Sequence, residues 1–138
     1  MFGEMARDLA SGLQGGMGMA ASAKIGDKHM LCEPVHGSSP KYAGKNVVNP
    51  IAAISSVQLM FETIGARHDD EDAILCSEVL ESAISAHLSS GGPVTYDLGG
   101  SSSTSEVGEG IASKCIDMLS KMSSEILPSD SDLPPIHT

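Results

Sequence analysis

Two carboxylates near the N-terminus have the spacing of a cation site. Glu4 and Asp8 lie in a segment whose apolar residues recur at every fourth position from Met1 to Leu13, which predicts a helix. On a helix, side chains four residues apart project from the same side, so both carboxylates can approach one divalent cation. The same spacing is common on solvated helix faces, where Arg7 can pair with Glu4. The segment therefore predicts either a metal site or an ordinary charged surface.

The segment 33–50, EPVHGSSPKYAGKNVVNP, is the second candidate for chemistry. Apolar residues just before it predict a short buried strand, and Asn49-Pro50 has the pattern of a helix N-cap followed by proline in the first turn. Its glycines permit backbone conformations that other residues avoid, whereas its prolines restrict the chain. We therefore predict a long, shaped loop between a strand and a helix, preformed for a ligand.

Two helices are predicted after this loop. The first runs over 51–65, with its last residue, a glycine, as the C-cap. The second starts at 69–70, carries acidic residues in its first turn, and is stopped by the glycines at 91–92. His68 and His87 have no second ligand three or four residues away, so we expect ordinary surface or helix-end histidines.

The remaining chain predicts a strand, a helix and a tail. Residues 93–98, PVTYDL, form a short β-like run. Ser103 and Glu106 have capping-box spacing and start a helix whose apolar inner face includes Cys115 as a small buried hydrophobe. From Ser123 the composition shifts to Ser, Asp and Pro without periodicity, which predicts disorder.

Composition restricts the class of protein. The 138 residues have the length of one domain, and 41% hydrophobic residues are enough for a core. A net charge of -10, without a cluster of Lys and Arg, opposes nucleic acid or an anionic membrane as a partner. Three widely spaced cysteines suggest neither disulfides nor zinc, and no stretch of about 18 apolar residues occurs. We expect a soluble protein of the cytoplasm or an organelle matrix.

Helices that alternate with so few strands predict an α/β fold with an incomplete sheet, as in part of a larger protein. Four stretches over residues 1–120 resemble the β-decarboxylating dehydrogenases, the family of isocitrate, 3-isopropylmalate and homoisocitrate dehydrogenases. They are MFGEMARDLASGLQGG, GMAASAKIGD, EPVHGSSPKYAGKNVVNP and TYDLGGSSST, in the family's order and spacing. The resemblance implies the C-terminal portion of a two-domain α/β dehydrogenase fold, with helices flanking the incomplete sheet.

The resemblance also implies a division of the chain. Residues 1–14 correspond to the metal-site helix of the small domain, 15–122 to the C-terminal half of the cofactor-binding large domain, and 123–138 to a disordered tail. Glu4 and Asp8 fall on the carboxylates that bind Mg²⁺ or Mn²⁺, although the family usually has Asp at position 4 and Ser at position 7.

The loop resembles the family's adenosine-binding loop. The implied cofactor contacts are Glu33, His36, Gly37, Ser38, Ser39, Pro40, Lys41, Tyr42, Val48, Asn49 and Tyr96. The Lys41-Tyr42 pair is typical of NADP-linked members, whereas NAD-linked members carry Asp and Ile there. Gly100 stands where the NADP pattern has an arginine. NADP is therefore the expected cofactor, with NAD as the alternative.

The implied function is oxidative decarboxylation of a small 2-hydroxy acid, with hydride transfer to NAD(P). Isocitrate is preferred as substrate because the loop is NADP-like, and 3-isopropylmalate or homoisocitrate are the alternatives. The family's substrate-binding arginines and its catalytic tyrosine and lysine have no counterpart here, so we assign no catalytic residue and expect the isolated chain to be inactive. A homodimer is expected for the full-length protein. A noncatalytic or regulatory subunit, or a truncated product, remains an alternative.

Overall fold

The computed structural model describes residues 9, 12, 13 and 15–126. Over this part of the chain, two strands are followed by three long helices, a mixed α/β arrangement. The elements are β1 (Ala21–Ile25), β2 (Met30–Pro34), α1 (Ile51–His68), α2 (Glu71–Ser89) and α3 (Thr104–Ile126), with short 3₁₀ turns at Pro40–Tyr42 and Tyr96–Leu98. None of the helices in the described residues is long and apolar enough to cross a membrane.

The two strands form an antiparallel hairpin. Ala21 pairs with Pro34 and Ile25 with Met30, and α1 packs against both strands. The predicted strand before the loop is confirmed, but its predicted burial is wrong, because Leu31 is 52% exposed. In the described residues the sheet has only these two strands, and it packs on α1.

The core lies where the three helices meet. Ile51 of α1, Ala83 of α2, and Val107 and Ile111 of α3 are each at most 2% exposed. Cys115, predicted to be buried, is only partly buried at the edge of this cluster, and desolvation raises the pKa of its thiol. Each helix therefore contributes side chains to a single apolar centre.

The junction between α1 and α2 corrects one prediction. Helix α1 continues past Gly65 to His68, and Asp69 ends it in the left-handed conformation (φ 51°), with its N–H donating to the Gly65 carbonyl. Gly65 is not the C-cap. A Cβ there would lie 2.6 Å from Cδ1 of Ile74, so the glycine allows α2 to pack closely on α1.

The start and end of α2 are as predicted. The carboxylate of Asp70 accepts from the Ala73 N–H at 3.0 Å and caps the helix. In the last turn, His87 is a helix-end residue as expected, but it is only 1% exposed rather than on the surface. Its Nε2 lies 2.8 Å from the Pro93 carbonyl, which can only accept, so Nε2 carries the proton.

Glycines make the space for this buried imidazole. A Cβ at Gly92 would lie 2.8 Å from the His87 ring, and one at Gly110 of α3 would lie 2.5 Å from Cε1. At Gly108, one half-turn earlier, a Cβ would meet no atom within 4 Å. Gly110 therefore leaves space for the His87 ring, whereas Gly108 leaves space for no neighbouring side chain.

We expect Gly110→Ala and Gly108→Ala to change stability in opposite directions. The hydrogen bond to Pro93 holds the His87 ring in place, so the ring cannot move aside. Gly110→Ala should therefore lower the free energy of unfolding by about 1–3 kcal/mol. Gly108→Ala should raise the free energy of unfolding by about 0.5–1 kcal/mol, because alanine is more favourable than glycine in a helix interior. Urea unfolding followed by circular dichroism measures both, and equal effects of the two variants would contradict the close packing of His87.

The segment after α2 does not form the predicted strand. The Thr95 carbonyl accepts from the N–H groups of both Leu98 and Gly100, which turns the chain back on itself. The backbone groups that a strand would offer to a neighbour are used within the turn. Thr95 is fully buried, whereas Tyr96 is 54% exposed.

Helix α3 begins with the predicted capping box. The Ser103 N–H donates to Glu106 Oε2 at 2.7 Å, and the Glu106 N–H donates to the Ser103 hydroxyl at 3.2 Å. The Ser103 N–H and the Ser103 hydroxyl both donate to the Glu106 carboxylate, which holds the pKa of that carboxyl below its ordinary value. The helix extends to Ile126, so the first four residues of the segment assigned to a disordered tail are helical. The rest of that segment, 127–138, lies outside the described residues.

Candidate functional site

The loop between β2 and α1 forms most of the wall of an open cavity of about 420 Å³. The predicted cofactor contacts that line it are His36, Gly37, Ser38, Ser39, Tyr42, Val48, Asn49 and Tyr96. Further lining residues, which the sequence interpretation missed, are Gly18, Ala43, Gly44, Asn46, Asp97 and Thr104. The predicted strand-to-helix loop is therefore confirmed as a shaped concave surface, to which distant segments also contribute.

Three predicted contacts lie outside the cavity lining. Glu33 is on β2, where its Oε1 is 2.9 Å from Nζ of Lys24 on the neighbouring strand. Pro40 begins the 3₁₀ turn, and Lys41 follows it with an exposed side chain at the cavity's edge. Of these three, Lys41 lies near the cavity, because its Nζ is 5.6 Å from the ring centroid of Tyr42, a lining residue.

The loop backbone adopts uncommon conformations. Ser39 (φ 46°) and Asn46 (φ 54°) are in the left-handed region, which residues other than glycine rarely adopt. Between them, Pro40–Tyr42 forms the 3₁₀ turn, and the Lys45 N–H donates to the Tyr42 carbonyl at 3.1 Å. Such backbone strain persists where surrounding structure enforces it, and it is concentrated at ligand sites.

Asn46 attaches the loop to the start of α3. Its Oδ1 accepts from the N–H and from the hydroxyl of Ser105, each at 3.1 Å, and its carbonyl accepts from the Thr104 N–H. The Thr104 hydroxyl in turn donates to the Val48 carbonyl. These bonds to a helix end hold the second half of the loop in place.

Asn49 is fixed at the base of the cavity. It is 8% exposed, and its Oδ1 accepts from the Ile51 N–H at 3.0 Å. The predicted N-cap is displaced by one residue, because Pro50 occupies the N-cap position and α1 begins at Ile51. Its Nδ2 lies 3.0 Å from Asp97 Oδ2 and 3.6 Å from the sulfur of Met19. Both amide hydrogens therefore have acceptors, and one Oδ1 lone pair remains for a ligand.

Asp97 and Gly18 complete this base. The Thr95 hydroxyl donates to Asp97 Oδ1 while Asn49 holds the other oxygen. A Cβ at Gly18 would lie 2.8 Å from Asp97 Oδ2, so only glycine leaves room for the carboxylate. Two neutral donors thus fix the orientation of the Asp97 carboxylate at the base of the cavity.

An aromatic pair with two ammonium groups forms the cavity's rim. The ring centroids of Tyr42 and Tyr96 are 6.1 Å apart, and Nζ of Lys41 and Lys45 lie 5.6 and 5.9 Å from the Tyr42 centroid. A hydrogen bond with Tyr42, followed by smaller effects of desolvation and nearby charge, raises the pKa of Tyr96, so its phenol stays protonated at neutral pH. The rim offers flat surfaces, phenol groups and positive charge, which suit a flat anionic ligand.

The predicted metal ligands Glu4 and Asp8 lie outside the described residues. Over the part of the chain that the structure describes, no group of three or more His, Cys, Asp or Glu side chains is arranged to hold a metal ion. The metal site therefore stays a prediction from the sequence.

Comparison with known proteins places these features in a family. A family profile described as isocitrate/isopropylmalate dehydrogenase matches residues 1–111. The 3-isopropylmalate dehydrogenase of Methanothermobacter thermautotrophicus is 42% identical over 112 residues, which cover 81% of this chain and 32% of that protein. The isocitrate dehydrogenase (NADP) of Archaeoglobus fulgidus is 48% identical over 96 residues, covering 70% and 21% of the two chains.

A solved structure shares the fold. The apo β-decarboxylating dehydrogenase of Thermococcus kodakarensis superimposes with a TM-score of 0.77 at 34% identity, and the match covers 89% of this chain and 34% of that one. The chain therefore spans between about a fifth and a third of the length of these relatives.

Proposed function

The chain belongs to the isocitrate/isopropylmalate dehydrogenase family, and from this premise we propose that it forms the adenosine-binding part of an NAD(P)-dependent β-decarboxylating dehydrogenase. The observation that supports this most is the cavity, which gathers residues of the 36–49 loop with Tyr96 and Asp97 from a distant segment. Its volume of about 420 Å³ is within the range of small-ligand sites.

The cavity has groups suited to an adenosine. Nδ1 of His36 lies 2.9 Å from the Gly37 carbonyl and must donate to it, which leaves Nε2 of a neutral ring as an acceptor. An adenine amino group can donate to such an acceptor, and the tyrosine rings offer surfaces on which the flat base can stack. Asn49 acts mainly by positioning, because Asp97 and Met19 already occupy its amide hydrogens.

NADP is the proposed cofactor, with NAD as the alternative. An ammonium group and a phenol at the rim, from Lys41 and Tyr42, can bind the extra 2′-phosphate of NADP, whereas a carboxylate there would favour the free ribose hydroxyls of NAD. The substrate would be a small 2-hydroxy acid, and isocitrate remains preferred over 3-isopropylmalate or homoisocitrate. The residues that distinguish these substrates belong to parts of the family fold outside this chain, and the active protein is proposed to be a homodimer.

Glu4 and Asp8 are proposed as two ligands of a Mg²⁺ or Mn²⁺ ion. Carboxylates are hard oxygen donors that suit these ions, and two of them leave coordination positions for water or substrate. When bound, the ion would supply Lewis-acid catalysis toward the substrate's oxygen atoms. The role of the two side chains would be to hold the ion beside the substrate.

Replacing Lys41 by Asp tests the proposed function. The chain should bind NADP more tightly than NAD, and Lys41→Asp should reduce this ratio by about tenfold or more, because a carboxylate repels the 2′-phosphate. Isothermal titration of both cofactors against the 138-residue chain measures the ratio, after circular dichroism has shown that the chain is helical. Lys28→Asp makes the same charge change in the turn of the β hairpin and should leave the ratio unaltered. A ratio that is the same in both variants would contradict this cofactor site.

A noncatalytic subunit is the second candidate, because positions 4 and 7 depart from the usual Asp and Ser of the family. In a full-length protein, reverting Glu4 to Asp and Arg7 to Ser should raise metal affinity and turnover if those departures have weakened the site. Little gain from the reversions would exclude this alternative.

A further inference from the structure

Two lysines converge on one aromatic ring at the rim of the cavity. Lys41 lies on the 3₁₀ turn Pro40–Tyr42, and Lys45 follows after the tight turn that the Lys45 N–H closes onto the Tyr42 carbonyl. This backbone geometry brings both side chains to the same ring, with Nζ atoms 5.6 and 5.9 Å from the Tyr42 centroid. Their convergence follows from the loop's conformation, since an extended chain would carry them apart.

Both ammonium groups are available to a ligand. The side chains are exposed, and neither makes an ion pair with a carboxylate in the described residues. Lys24 shows the contrast, because its Nζ is paired with Glu33. In a chain with 8 Lys and Arg against 18 Asp and Glu, two such cations on one ring form a local positive patch. They repel each other, and an anion bound between them would relieve that repulsion.

Gly100 stands where the NADP pattern has an arginine, so this position supplies no cation. Gly100 follows the Tyr96–Leu98 turn, and a Cβ at that position would overlap the Val94 carbonyl oxygen and lie 2.7 Å from Val94 Cγ2. A long basic side chain therefore cannot enter from there without moving the backbone. Among the described residues, Lys41 and Lys45 bring positive charge to the Tyr42 ring.

From this geometry we infer that Lys45 is a second phosphate-binding cation, which acts with Lys41 to set the preference for NADP over NAD. The inference rests on the proposed function and extends it to a further specificity-determining residue. The ligand group is the phosphate monoester on the ribose 2′ oxygen, a compact dianion that can accept from two ammonium groups and the Tyr42 phenol together.

Two adenosine fragments of the cofactor separate this role from general binding. Adenosine 2′,5′-bisphosphate carries the 2′-phosphate, whereas 5′-AMP lacks it. Lys45→Gln in the 138-residue chain should weaken binding of the bisphosphate by about five- to tenfold and leave 5′-AMP binding unchanged, as expected for a partly exposed charge pair. Lys45→Arg keeps the charge and should retain most of the bisphosphate affinity.

The controls make each outcome decisive. Lys28→Gln removes a charge in the distant hairpin turn and should change neither probe, and circular dichroism confirms that each variant keeps its helices. Equal weakening of both probes by Lys45→Gln, or no effect beyond that of Lys28→Gln, would overturn the inference while leaving the proposed adenosine site intact. If the unaltered chain binds neither probe, the proposed function fails and this inference fails with it.

Discussion

Ile111→Ala is expected to lower the free energy of unfolding by about 2–5 kcal/mol, the usual cost of removing a buried aliphatic side chain. Ile111 is 2% exposed and lies in the cluster with Ile51, Ala83 and Val107, where all three helices meet. The truncation would leave a cavity between rigid helices that cannot fully collapse around it. Urea unfolding, monitored by helical circular dichroism, measures the change.

Ile116→Ala is the matched control for this prediction. It makes the same substitution on the same helix, but Ile116 is 63% exposed, so little packing is lost. We expect a change within about 0.5 kcal/mol. Similar destabilisation by the two variants would mean that the three helices do not share the core described here.

Gly100→Arg is expected to lower the free energy of unfolding by about 3 kcal/mol or more, although the resemblance to NADP-linked family members predicts an arginine there. The collision begins at Cβ, which would overlap the Val94 carbonyl oxygen, and it cannot be relieved by a change of rotamer. The Gly100 N–H also donates to the Thr95 carbonyl at 3.0 Å, so moving the backbone would break a bond of the buried turn. Thermal and urea unfolding measure the loss.

Gly100→Ala separates the effect of Cβ from that of the guanidinium. It should produce most of the decrease in the free energy of unfolding. Gly108→Ala, whose added Cβ meets no atom within 4 Å, should be mildly stabilising. A stable Gly100→Arg chain with raised NADP affinity would contradict the packing of the 94–100 turn. It would also show that the rim accepts a cation from this side.

Local chemistry explains which predictions succeeded. Ser103 and Glu106 form the predicted capping box, and Asp70 caps α2, because both devices depend on residues within one turn of a helix. In each case neighbouring residues contain the whole interaction, so their order along the chain is sufficient.

Gly65, His87 and the 93–98 segment show where such reasoning stops. Gly65 is a glycine at the expected position of a C-cap, but its role is to leave space for Ile74 of the neighbouring helix. His87 looked like an ordinary polar residue, but two glycines from different segments enclose its ring. Residues 93–98 have a β-like composition, but they form no strand. The Thr95 carbonyl accepts from the N–H groups of Leu98 and Gly100, so these groups cannot bond to a neighbouring strand.

The family, the loop and most of the residues around the cavity could be predicted from the sequence, because they depend on motifs that are contiguous in the chain. Three contacts become visible only in the folded chain: the Asp97 carboxylate accepts from Asn49, Gly18 has no room for a side chain, and Lys45 joins Lys41 at the Tyr42 ring. These contacts depend on distances between segments up to about 80 residues apart or on the path of a strained loop. The spacing of residues along the chain gives neither these distances nor the path of the loop. Packing therefore decides where the charged groups lie and what shape a ligand would meet.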